Sequence, residues 1–156
     1  MSARADVDPQ REEIMRAVRQ ASGDWAEAMR AHKLAPPDDG FAARLRALAD
    51  AAARERIAWE QAHSAGLLWR PVPGAESAQP PYELRPGTGR RGPAPLWERF
   101  DIAVTTLNRA ITGSDAATVA DAFGELAQAA RELADAVARE DEAARDQSRT
   151  RVRGAA

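Results

Sequence analysis

The chain has 156 residues, enough for one domain with a real core, and no cysteine, which excludes disulfides, thiol nucleophiles and thiolate metal sites. Its charges nearly cancel, at a net −2, so it lacks the basic footprint that duplex binding demands and nucleic acid is not an expected partner. No run approaches the roughly 20 apolar residues of a membrane span, and residues 1–13 are too polar for a signal peptide, so no membrane role and a cytoplasmic location are expected.

Alanine sets the character of the chain: 37 of the residues are alanine and only 8 are aromatic. Alanine forms helix better than any other residue but buries little area. Helices should therefore form readily and hold together thinly, through close alanine-to-alanine packing or through self-association. Of the 22 basic residues 21 are arginine, a bias that carries little functional weight beside the matching alanine excess.

The first predicted helix covers 9–34. Asp8 can cap it, and Pro9 suits its first position because the missing N–H would be unpaired there anyway. Ile14, Val18, Ala21, Trp25, Ala28 and His32 recur at helical spacing on one stripe. The stripe keeps phase across Ser22-Gly23-Asp24, which predicts one continuous helix. Pro36-Pro37-Asp38-Asp39 stops it and caps a second helix over 40–65, with the stripe Phe41, Leu45, Leu48, Ala52, Glu55, Trp59 and Ala62. So short a connection predicts antiparallel neighbours.

Residues 66–95 hold 7 of the 10 prolines and 5 of the 10 glycines, a density that no helix survives. A connection of that length inside a compact domain is expected to be functional, docked or disordered. Leu67-Leu68-Trp69 and Tyr82 with Leu84 are expected to pin it onto the helices. The third helix covers 96–112, with Leu96, Phe100, Ala103, Val104, Leu107 and Ile111 inward. Gly113 ends it and Ser114 caps the fourth helix over 115–139. There Val119, Phe123, Leu126, Ala130, Leu133 and Val137 form a heptad stripe, with Ala120, Ala127 and Ala134 beside it. The charged tail 140–156, where that stripe fails, is expected to fray. The predicted fold is all-α: a single-domain four-helix bundle of two antiparallel helical hairpins joined by a long Pro/Gly-rich crossover.

Candidate sites are sparse. Trp69, Arg70, Tyr82, Arg85, Arg90 and Arg91 on the crossover combine stacking surfaces, cations and glycines that expose backbone N–H groups. They are the candidate ligand- or partner-binding set. The segment Arg85-Pro86-Gly87-Thr88-Gly89-Arg90-Arg91 is not a phosphate-binding P-loop, and a solvated passive loop is the competing reading. His32 and His63 end predicted helices, where histidine suits the carbonyl end of the dipole, and neither has the partners of a metal or phosphorelay site. Glu55 on an apolar stripe must find a partner or shift its pKa. Trp25, Trp59, Trp69 and Trp97 read as bulk between thin helices.

No catalytic constellation, metal site or cofactor site can be assembled, which leans against an enzyme. The expected function is a non-enzymatic, regulatory or scaffolding interaction module that binds a protein partner or itself, the latter as a homodimer. The alternative is a bundle that binds a small anionic ligand beneath the 66–95 crossover.

Overall fold

A computed structural model describes residues 9–34, 40–66, 92–113 and 115–154. Among them are four helices and no strand: α1 (Pro9–Leu34), α2 (Phe41–Ser64), α3 (Ala94–Gly113) and α4 (Ala116–Gly154). The all-helical expectation therefore holds. Helix α1 is continuous through Gly23, whose would-be Cβ meets nothing within 4 Å.

The spaced stripes are where the core lies. On α2 every stripe residue is buried, from Phe41 through Ala62. On α4 Val119, Phe123, Leu126, Ala130, Leu133 and Val137 are buried, as are Ala120, Ala127 and Ala134 beside them. On α3 Phe100, Ala103, Val104 and Leu107 are buried with Trp97 and Ala110, while Leu96 and Ile111 are partly covered. Met29 joins Val18, Ala21 and Trp25 in the core face of α1.

Helices α2 and α4 make the most extensive contact of the fold, with α1 laid on α2 and α3 laid on α4. That central pair is the alanine-rich one: Ala49, Ala51 and Ala52 on α2 and Ala130 and Ala134 on α4 are fully enclosed. Small side chains let two helix axes approach closely, so methyl groups contribute through proximity what they lack in area. Three cross-contacts fix the direction of this pair. Arg46 meets Asp135 at 3.3 Å, Asp50 meets Arg131 at 3.8 Å, and Arg56 lies over Gly124, so α2 and α4 run in opposite senses. The larger side chains sit between the central pair and its flanks. Trp25 of α1 packs edge-on against Phe123 of α4, with ring centroids 5.3 Å apart.

Helix α4 corrects the expected boundary at 139. It continues to Gly154, and beyond Asp141 every residue to 154 is exposed. A helix already nucleated needs only favourable propagation at each further residue. Ala143, Ala144, Arg145 and Gln147 are good helix formers, and Arg151 and Arg153 in the last turn suit its negative end. Apolar periodicity marked where α4 is packed, not where it is helical. At its start Asp115 Oδ1 accepts the Thr118 N–H at 2.9 Å, and Ser114, the cap expected from the sequence, lies outside the described residues.

Candidate interaction surfaces and buried polar groups

The six crossover residues singled out from the sequence, Trp69, Arg70, Tyr82, Arg85, Arg90 and Arg91, all lie outside the described residues, as do the apolar clusters around Leu68 and Leu84. The last residues before α3 are described. Gly92 has φ +107°, and a Cβ there would sit 3.0 Å from Leu133 Cδ1 and 3.1 Å from Val137 Cγ2 of α4. The chain thus lays bare backbone directly on the α4 core stripe, and only glycine allows both the conformation and the approach.

Close to this point is an aromatic cluster at one end of the fold. His32 lies 5.7 Å from Phe41 and 5.9 Å from Phe100, Phe41 lies 6.0 Å from Trp97, and Trp97 lies 5.5 Å from Phe100, between ring centroids. His32 is buried at 8% exposure and is a packing residue of this cluster. His63 is exposed at the far end of α2, near enough to Asp115 that its charge helps lower that carboxyl's pKa, after the hydrogen bonds from the Thr118 N–H and hydroxyl. The two histidines therefore cannot share a ligand. Among the described residues no group of three or more His, Asp or Glu side chains is placed to hold a metal.

Glu55 is strongly perturbed. It is enclosed at 1% exposure, and Trp59 Nε1 donates to its Oε2 at 2.9 Å. The Ser22 hydroxyl donates from α1. These two bonds favour the charged form, but burial outweighs them, with a small push from the Asp24 charge, and the pKa rises from 4.5 to about 7. Asp24 in turn has Arg54 Nε at 3.9 Å. The sequence identified Glu55 as an outlier but gave no sign that Ser22 and Asp24, at the supposed weak point of α1, would face it. Such a carboxyl exchanges its proton near neutrality. Proton transfer to a substrate, however, needs a route to solvent, and neither surface groove described below includes it.

The first groove runs along the start of α2 and the far part of α4. It has a volume of about 420 Å³ and is lined by Ala42, Ala43 and Arg46 on one side and Ala138, Asp141, Glu142, Arg145, Asp146 and Arg149 on the other. The second is a shallower trough between α3 and α4, with Ile102 (60% exposed) above Ala103 and Ala129 and Arg99 paired to Glu132 at 3.3 Å. Neither converges polar groups on a point, as a small-molecule site would. Both are elongated and charged. No described helix is long and apolar enough to cross a membrane. Compared with known protein families, with curated proteins and with solved structures, the chain matches none of them.

Proposed function

We propose that this protein is a non-enzymatic helical interaction module, regulatory or scaffolding in role and acting in the cytoplasm. It binds a protein partner, or a second copy of itself, through the part of α4 that α2 leaves uncovered. The observation that carries this reading is the length of α4. It outlasts α2 and stands exposed from Glu142 to Gly154. Among the described residues nothing covers this polar stretch, and bridging to another body is one of the few structural uses for such a helix.

The fold that presents this arm is, in our reading, two antiparallel hairpins joined by a crossover. Asp24 and His32 of α1 meet Arg54 and Phe41 of α2, in reversed order. Gly92 lies against Leu133 and Val137, and Arg99 against Glu132 further along α3. Phe41 and Trp97, at the starts of α2 and α3, touch each other. That contact supports parallel α2 and α3, with the end of α2 and the start of α3 at opposite ends of the bundle.

The test is light scattering and native mass spectrometry of the chain alone and of the chain recovered gently from the cells that make it. A stoichiometric complex or a self-associated species supports the module. A bare monomer in both preparations refutes it.

A further inference from the structure

The α4 residues that flank α2 form one stripe: Gly124 beneath Arg56, Arg131 beside Asp50 and Asp135 beside Arg46. At helical periodicity the same stripe continues past the start of α2 as Glu142, Asp146, Arg149 and Arg153, at steps of four, three and four. All four are exposed. Val152, three residues on from Arg149, borders this stripe and is the most exposed large apolar residue described, at 72%. Acid precedes base along the charged stripe. Its sequence is therefore complementary to itself when reversed, which is the requirement for a two-fold antiparallel contact.

We propose that the arm of α4, residues 142–153, pairs antiparallel with the same segment of a second copy of this chain. This rests on the interaction-module reading and names its partner. Glu142 then faces Arg153 of the second copy and Asp146 faces Arg149, each pair occurring twice by symmetry. The second arm takes up on α4 the place that α2 holds further back, with the same kind of Arg–Asp pairing across opposed helices. Within a lone arm, the Asp146 side chain contacts Arg149 in cis at 3.6 Å, a pair that the second copy extends into a network.

The arm is about 20 Å long at 1.5 Å per residue, and so small a contact falls below the roughly 1,200 Å² of a stable interface. Exposed ion pairs add little each and are screened by salt. The association is therefore weak, fast and salt-sensitive, and is raised in effect wherever copies are concentrated.

Sedimentation velocity of the full chain over a wide concentration range reads it. The expected result is a mass that climbs with concentration in low salt and falls back in high salt. E142R with D146R makes the stripe wholly basic, and R149E with R153E makes it wholly acidic. Each double variant alone is expected to weaken self-association on the order of tenfold or more, and an equimolar mixture of the two to restore it. Circular dichroism confirms that the arms stay helical. Should a reversed arm melt, E142Q with D146Q, which keeps helix propensity, must show the same loss. A wild-type chain that is monomeric at every concentration, a reversed variant that associates like wild type, or a mixture of helical arms that stays monomeric overturns the proposal. A chain monomeric alone yet complexed with a different protein in its cells overturns the self-pairing and leaves the module reading intact.

Discussion

Replacing Glu55 by glutamine tests the α1–α2 interface through its pH dependence. Glutamine keeps the shape of the side chain and the oxygen that accepts from Trp59 Nε1, and it removes the proton. Below about pH 4.5 the wild-type carboxyl is protonated in both the folded and the unfolded chain, so its burial carries no charge penalty. Between 4.5 and about 7 the unfolded chain releases the proton while the folded chain holds it, and stability falls as pH rises. Above about 7 the carboxylate is charged in both states and the penalty is complete. A rise from 4.5 to about 7 corresponds to about 3 kcal/mol. That is a large share of the 5–15 kcal/mol typical of a whole domain, on the order given for small proteins. The charged neighbours that face Glu55 are Asp24 from α1 and, beyond it, Arg54. Urea titrations from about pH 4.5 to about pH 8 should show the wild type losing about 3 kcal/mol and E55Q losing far less. Subtracting one curve from the other cancels what the two proteins share. Parallel curves for the two proteins would show that Glu55 is not what titrates, and the enclosed geometry argued for it would be wrong.

Three further substitutions separate the other contacts. Gly92→Ala forces a Cβ into a positive-φ residue between Leu133 and Val137 and should destabilise by about 1–3 kcal/mol in urea denaturation. Gly124→Ala should do the opposite, raising stability by up to about 1 kcal/mol through helix propensity. Only the exposed, flexible Arg56 side chain, at 3.0 Å from the new Cβ, has to move aside. Asp115→Ala removes the cap of α4 and should lower Tm at neutral pH. The wild-type carboxyl has a lowered pKa, so its contribution is complete above about pH 3.8 and disappears as acid protonates it; the Tm difference should shrink in step.

What was legible in the sequence was whatever packing writes as periodicity. Phe41, Leu45, Leu48 and Trp59 on α2 and Val119 through Val137 on α4 are spaced for one face, and that face is buried. Glu55 stood out because it broke the pattern. Its partners did not, because Ser22 and Asp24 belong to a different helix whose rotation about α2 no local spacing specifies. The end of α4 was misplaced for a related reason. Residues 142–154 contribute nothing to the core, so apolar periodicity is silent about them, while propensity and end charge hold them helical. The available signal was a charged stripe at helical spacing, Glu142, Asp146, Arg149 and Arg153, on a different side of α4 from the heptad. The pairing of α2 with α4 was not legible either. Alanine faces look alike from any side, and a sequence dominated by them leaves the choice of nearest neighbour open.

The methyl-lined seam at the centre also acts as a gauge block. Ala49, Ala52, Ala130 and Ala134 have no exposed surface, so nothing there can grow by even one or two carbons without wedging the two rods apart. Both outer helices hang on those rods, and prising them would unseat Trp25 from Phe123 on one flank and Gly92 from Leu133 on the other. Bulk added at exposed Ile57 or Ala47 would simply point into water. Along that internal line the molecule has no room to adjust, and a substitution scan of α2 and α4 should trace it as a band of intolerance to larger side chains with a period of three to four residues.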